Sequence, residues 1–467
     1  MGSADLERQF KGLKGSMTRG AEWKHLLLFA LPLMGGQALQ QLYNTVDGII
    51  VGNFVGDIAL GAVGVCSPVT LLFTSIAVGM CTGVSVVAAQ YFGAGKPDEM
   101  RRAASTSIIM LLVMGLFFSV IGVVFGRVFL ADLLGVSDWY LDEAATYFGI
   151  YAIGLIFQFA YNVFAALLRA VGDSKATLYF LLISSVTNLV LDLTFVIAFQ
   201  WGVAGAAVAT VISQGVSAVV ACVYMMRKYE VFRFRRGEFR WHADAAKLTL
   251  RLAAPSTLQQ VVMSCGCLAL QRVVNHFGGI YAGLMSGATA GQRVESFVQI
   301  PMFAFNTAMA TFTGQNMGAG ELERVKRGRR VGLLMGVAVS IAIAGIVLLL
   351  STPLISLFGV SEEGLRYGVL YLWILCPGLF MFGLYIINNG VLQGSGDTGF
   401  TAFVLMTSFA LRIVLAYTLA YHTSLEYKAV WISQPFGWCI NMILSWGRYF
   451  QGGWKKKVIT TVKKEEG

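Results

Sequence analysis

The sequence predicts an all-α integral membrane protein with twelve transmembrane helices in two pseudo-symmetric six-helix lobes. Three observations predict it: an apolar composition, twelve apolar runs parted by short polar loops, and a second half that repeats the first. Of 467 residues, 56% are hydrophobic and 13% are charged, and mean hydropathy is +0.68. A soluble globular protein carries about 25% charged residues. Runs such as 108–124 and 331–350 are long enough to cross a hydrocarbon core of about 30 Å. Period-two alternation is absent, which argues against a transmembrane β-barrel.

The runs fall at 25–53, 58–90, 103–130, 141–168, 176–199, 203–226, 247–275, 281–313, 331–351, 366–392, 400–421 and 429–450. Those longer than about 25 residues must tilt or extend beyond the membrane. Lysine and arginine orient them. With a cytoplasmic N-terminus, the inside loops and tails hold 29 Lys/Arg and the outside loops three; Arg272, Arg293 and Arg412 lie within spans. That asymmetry follows the positive-inside rule and places both termini in the cytoplasm, on the inner membrane of a bacterium or archaeon. The organisation read from it is a cytoplasmic segment 1–24, an N-lobe 25–226, a basic inter-lobe loop 227–246, a C-lobe 247–450 and a basic tail 451–467. Residues 1–24 are polar and basic, unlike a cleavable signal peptide. The net charge of +10 does not point to nucleic acid, because the basic residues sit in short clusters between apolar runs, where they face anionic lipid.

The halves match at an offset near 224 residues. Gln90-Tyr-Phe-Gly-Ala-Gly-Lys-Pro-Asp-Glu pairs with Gln315-Asn-Met-Gly-Ala-Gly-Glu-Leu-Glu-Arg, and Arg169-Ala-Val-Gly-Asp with Gln393-Gly-Ser-Gly-Asp. Leu134-Gly-Val-Ser pairs with Phe358-Gly-Val-Ser, and Pro32 with Pro255. Each half holds an even number of spans, so both enter the membrane in the same sense. A pseudo-two-fold axis along the membrane normal is expected, with the substrate in a cleft between the halves. One chain then suffices, and a monomer is expected to function. Prolines 32, 68, 255, 301 and 377 fall inside spans, where they permit kinks.

Charged residues in hydrocarbon mark function, because each costs several kcal/mol there. Asp47, Asp192, Arg272, Arg293, Glu295 and Arg412 qualify. Helices 1 and 5 run outward and helix 6 returns, so Asp47, Asp192 and Thr210 all lie about 10 Å below the outer surface, at about 1.5 Å per residue. Asn188 is one turn before Asp192, on the same face. Two carboxylates, a carboxamide and a hydroxyl at one depth can bind a hard monovalent cation or share a proton. The bland alternative is that Asp192 and Asn188 only satisfy each other, and that Thr210 bonds back to its own helix. Helix 1 also carries a polar stripe of Gln37, Gln40, Asn44 and Asp47, and helix 8 carries Gln292, Glu295, Gln299 and Asn306. Such stripes face a cavity or bundle interior. Glu295 is expected to pair with Arg272, Arg412 or a cationic group of the substrate. The expected substrate-lining set is Gln37, Gln40, Asn44, Gln260, Met263, Gln271, Arg272, Glu295, Gln299 and Arg412.

These residues carry a resemblance. Val46-Asp47-Gly48 with Val51-Gly52, Gln90-Tyr-Phe-Gly-Ala-Gly, Leu168-Arg169-Ala-Val-Gly-Asp173, Asn188-Leu-Val-Leu-Asp192, Gly202-Val-Ala-Gly-Ala-Ala-Val-Ala-Thr210 and Gly314-Gln-Asn-Met-Gly-Ala-Gly320 resemble the multidrug and toxic compound extrusion (MATE) transporters. The resemblance covers about residues 25–450 and is nearest to the DinF-like branch. It implies two six-helix lobes around a V-shaped central cavity, and export of amphiphilic organic compounds in exchange for protons or sodium. In that branch the coupling site falls on Asp47, Asn188, Asp192 and Thr210, the four residues that depth alone selects. Another branch carries acids in helices 7 and 10; here helix 7 offers Gln259, Gln260 and Gln271, and helix 10 offers Asn388 and Asn389. The C-lobe arginines leave room for an anionic or zwitterionic substrate.

The alternative reading is a lipid-linked oligosaccharide or other lipid flippase of the related superfamily. An enzyme is not expected: there is no H-E-x-x-H, no G-x-S-x-G with triad partners and no Walker loop. No cofactor or metal is expected beyond the coupling ion, H+ or Na+, whose sodium ligands would be Asp47, Asn188, Asp192 and Thr210. Expected partners are a small-molecule substrate and membrane lipid. The seven cysteines lack metal-ligand spacing and read as small buried hydrophobes, including the Cys265 and Cys267 pair.

Overall fold

A computed structural model describes residues 16–133, 138–235 and 237–459. The Leu134-Gly-Val-Ser copy of the third repeat motif lies outside them. Hydrocarbon offers no partner for a backbone amide, so each apolar run closes its hydrogen bonds within a helix. Among the described residues there are twelve long helical segments: α1 (Glu22–Phe54), α2 (Asp57–Gly93), α3 (Pro97–Val128), α4 (Asp138–Ala170), α5 (Ser174–Asp192), α6 (Gly202–Lys228), α7 (Ala243–Gly278), α8 (Leu284–Gly318), α9 (Leu322–Leu349), a split α10 (α10a, Glu362–Leu375; α10b, Leu379–Gly394), α11 (Thr398–His422) and α12 (Lys428–Gln451). Most extend a few residues beyond their apolar run, because the helix continues into its polar flanks.

Eight of these segments are long and apolar enough to cross a membrane on composition alone. The other four, α1, α7, α8 and α12, carry the polar side chains discussed below. On α3, Val113, Leu116, Phe117, Val120 and Val124 share one exposed stripe. That inverted pattern is what lipid selects, since acyl chains solvate a valine as well as a protein core does.

The chain forms two compact units, one centred on Pro32–Thr257 and one on Leu258 onward with Met17–Leu31. In the first, α4 packs against α2, α3 and α6. Close approach comes from glycine: a Cβ on Gly122 of α3 would lie 2.6 Å from the Cβ of Ala152, and one on Gly126 2.8 Å from Phe148. In the second unit, α8 and α10b form the centre, with α9 and α12 against α10b. Gly287 and Gly291 of α8 face Gly364, Gly368 and Tyr371 of α10a in the same manner.

The repeated motifs build matching corners. Gly95 and Gly320 adopt φ of 68° and 77°, and Gly172 and Gly396 adopt 87° and 95°, left-handed values that a Cβ disfavours. Each Gly-Asp pair then places its acid at a helix N-terminus opposite a base from the sixth helix of its unit. Asp173 accepts from Lys228 Nζ (2.7 Å), Tyr229 Oη (2.8 Å), Tyr224 Oη (3.0 Å) and the Ala176 amide (3.2 Å). Asp397 accepts from Arg448 Nε (2.7 Å). Buried Gln315 accepts from the Met17 amide (2.8 Å), so the repeated glutamine anchors the chain before α1.

Burial alone would raise the Asp173 carboxyl, but the hydrogen bonds from Lys228 and Tyr229 outweigh it and hold the group below the usual carboxylate range. A folded value below the unfolded one stabilises the fold above the ordinary carboxylate range near pH ~4, and that gain is lost as pH falls through the depressed value. Asp173→Asn is expected to cost about 2 kcal/mol at neutral pH. This is less than for a fully buried pair, because the Lys228 side chain is 47% exposed. Melting curves in detergent should show variant and wild type converging in strong acid; a difference that persists there would assign the effect to packing.

Of the five prolines singled out, Pro32, Pro68, Pro255 and Pro301 lie inside continuous helices. Pro377 alone interrupts one, in the 3₁₀ turn Cys376–Gly378 between α10a and α10b. Pro435 inside α12 was not among them. The cysteine expectation needs correction: Cys66, Cys81 and Cys376 are buried, but Cys265 and Cys267 are exposed. A small apolar side chain rests as well against lipid as in a core, so burial does not follow from its chemistry.

Candidate functional site

Asp192 is the last residue of α5 before the helix loosens into a π-type turn, Leu193–Ala198. Such turns leave part of the backbone ladder re-registered and recur at functional positions. Asp192 and Asn188 are each 1% exposed, so the pair one turn apart points fully inward. Facing them are Tyr43 and Asp47 of α1, themselves one turn apart, and Thr210 of α6.

The hydrogen bonds sort these groups by role. Asn188 Nδ2 donates to Thr210 Oγ1 at 3.5 Å, and Thr210 donates to Ala206 O at 3.0 Å. Thr210 thus makes the back-bond to its own helix and also receives Asn188. Asp192 is not satisfied by Asn188: both its oxygens, and Oδ1 of Asp47, are buried without a donor. Yet the two carboxyls lie within hydrogen-bonding reach of one another. Two buried acceptors facing each other repel unless a proton or cation compensates them. The oxygen-only donor set suits either occupant.

A further layer comes from α4. Tyr147 and Tyr151 stack at 6.3 Å, with Tyr147 within electrostatic reach of Asp47. Tyr151 Oη donates to Gln158 Oε1 (3.3 Å), and Gln158 Nε2 donates to Thr74 Oγ1 (2.8 Å). Sequence reasoning missed Tyr43, Tyr147, Tyr151 and Gln158. The spacing of four in Tyr43–Asp47 and Tyr147–Tyr151, which puts each pair on one helix face, was the available signal.

In the second unit Glu295 is 7% exposed and accepts hydrogen bonds from Gln299 Nε2, Gln434 Nε2 and Tyr371 Oη. Of its expected partners, Arg412 lies within electrostatic reach of Glu295, though among the described residues neither Arg412 nor Arg272 makes a direct ion pair with it. Arg272 and Arg293 are exposed. Arg412 donates from Nη2 to Gln434 Oε1 at 2.8 Å. The amide bridges acid and base because its two ends match one of each. Tyr371 and Gln434 were also missed. The other expected lining residues belong to both units. Gln37 is half-buried and Gln40 and Asn44 are exposed, all in the first unit. In the second, Gln260 and Met263 are half-buried, Met263 Sδ accepts from Gln259 Nε2 at 3.9 Å, and Gln271 donates to Asn275 at 2.8 Å.

Comparison with known proteins places this architecture. The MatE family model matches residues 32–194 and 255–418, once in each half. The chain is similar to the probable multidrug resistance proteins YpnP and YoeA of Bacillus subtilis (strain 168). Identity is 30% with YpnP, covering 96% of this chain and 99% of the relative. With YoeA it is 28%, covering 94% and 95%. Its fold is that of a MATE crystallised in complex with MaL6, with a TM-score of 0.88 at 24% identity over 95% of this chain and all of the other. Two copies of one family unit, a twelve-helix fold and full-length similarity agree: the chain is a multi-pass membrane transporter of the MatE family.

Proposed function

We propose that the protein is a secondary antiporter that exports amphiphilic organic compounds in exchange for protons or sodium. Asp192 carries the proposal. It is a nine-tenths buried acid whose oxygens lack donors and face a second acid. Such a pair holds a cation well and an empty state poorly, which is what coupling to an ion gradient requires. The relatives' names support multidrug efflux as the transport activity.

In this mechanism an ion entering from the outer side neutralises Asp47 and Asp192. The repulsion between them is relieved, α1 and α5 close around the ion with Asn188 and Thr210 orienting the pair, and the substrate is expelled by alternating access. One charge moved through 100 mV supplies about 2.3 kcal/mol. In this reading both termini are cytoplasmic and one chain is the working unit. The test is efflux of a fluorescent amphiphile from proteoliposomes under an imposed proton gradient or an imposed sodium gradient. Flux driven by one of the two identifies the ion; flux driven by neither refutes coupling.

A further inference from the structure

We propose that Arg412 recognises an oxyanion, foremost a carboxylate, carried by the transported amphiphile, so that zwitterionic and anionic compounds are preferred over purely cationic ones. This names the substrate class for the proposed export and rests on that reading for the word transported.

Arg412 lies in the middle of α11, a helix apolar enough to span the membrane. A guanidinium carries five N–H donors. Among the described residues Arg412 places only one, from Nη2 to Gln434. Its Nε is buried and has no acceptor. In hydrocarbon an unmet donor is costly, so a guanidinium with this many must meet a ligand or water. The counter-charge, Glu295, lies within electrostatic reach of Arg412 but takes none of its hydrogen bonds. Glu295 is held by three neutral donors, and Gln434 stands between the two charges with its oxygen toward Arg412 and its nitrogen toward Glu295.

The consequence is asymmetric. The acid is enclosed and its lone pairs are engaged, so it is a poor anchor for a cationic drug. The base is half-buried, and a guanidinium presents parallel N–H donors spaced for the two oxygens of a carboxylate. Phe409, itself buried against Gly266, lies 5.5 Å from the guanidinium and holds it from one side.

The test uses a matched pair of dyes, rhodamine 19 with a free carboxylate and rhodamine 6G, its ethyl ester. Binding to the purified full chain in detergent is read by fluorescence anisotropy. Wild type is expected to bind the acid at least about ten-fold tighter than the ester, as a charge-assisted bidentate contact requires. Arg412→Gln should bring the acid to the ester's affinity and leave the ester unchanged, which also reports that the variant is folded. Arg412→Lys should keep part of the preference. No preference in wild type overturns the inference without any variant, and so does a preference that survives Arg412→Gln. Equal loss of both dyes in Arg412→Gln overturns it in favour of a structural role. Displacement of the acid alone by phosphatidylglycerol would make the occupant a lipid headgroup and overturn the substrate assignment. Binding is read without a gradient, so absent gradient-driven flux beside an intact acid preference counts against antiport alone. Driven flux without that preference counts against this inference alone.

Discussion

Asp192→Asn is expected to abolish gradient-driven efflux while leaving the protein folded. Removing one partner of a buried charge interaction costs about 3–5 kcal/mol, which lowers ion affinity by about two to four orders of magnitude. The fold should not suffer. Asparagine has nearly the same shape and brings a donor to a place where two acceptors oppose each other. The variant should therefore melt no lower than wild type, and higher if its new N–H reaches Asp47. Loss of flux with unchanged or raised Tm separates an ion-coupling residue from a structural one. Asp47→Asn should act in the same direction, whereas Asn188→Ala should be milder, because Asn188 contacts the pair's neighbour Thr210. Efflux under either gradient that persists at wild-type rate in both acid variants would remove the basis of the coupling site.

Gly287→Leu is expected to have the largest effect on stability. Gly283, Gly287 and Gly291 recur at intervals of four from the N-cap of α8 into its first turns, against Gly364, Gly368 and Tyr371 of α10a. Such small-residue stripes are how membrane helices approach closely, since packing replaces the hydrophobic drive between them. A Cβ at Gly287 would run into the Gly364 carbonyl, and would lie 2.8 Å from Tyr367 Cβ and 2.9 Å from the Gly368 amide. Two of these neighbours are backbone and cannot turn aside. The helices must part, at a cost above the usual 1–3 kcal/mol of core overpacking. Tyr371 would move with α10a, away from Glu295. The check is monodisperse yield and Tm in detergent. A variant that purifies and melts like wild type would show that α8 and α10a do not pack in this way.

Much of the fold was legible because the bilayer restricts it. Once a run is long and apolar, the helix follows from its amides, and the loops' basic residues order the spans. The repeat was legible because its glycines and acids have local duties: left-handed corners at Gly95, Gly172, Gly320 and Gly396, and helix N-termini at Asp173 and Asp397. The four polar residues of the first unit could be singled out because depth along a helix is fixed by residue number. Glu295 was legible as an intramembrane acid, but its partners were not. They come from α8, α10a and α12, 4, 76 and 139 residues away, and depend on which faces those helices turn to one another.

The sequence by itself determined twelve spans, a duplicated architecture and a short roster of polar residues at known depths. Those properties follow from hydropathy and from rise per residue, which act along one helix at a time. The tertiary structure decided which members of that roster meet. Among the described residues it set Asp192 without a donor against Asp47, enclosed Glu295 among neutral donors and gave Arg412 one hydrogen bond. These outcomes depend on helix rotation and crossing, set by steric fit at glycine and alanine surfaces, which no single helix encodes.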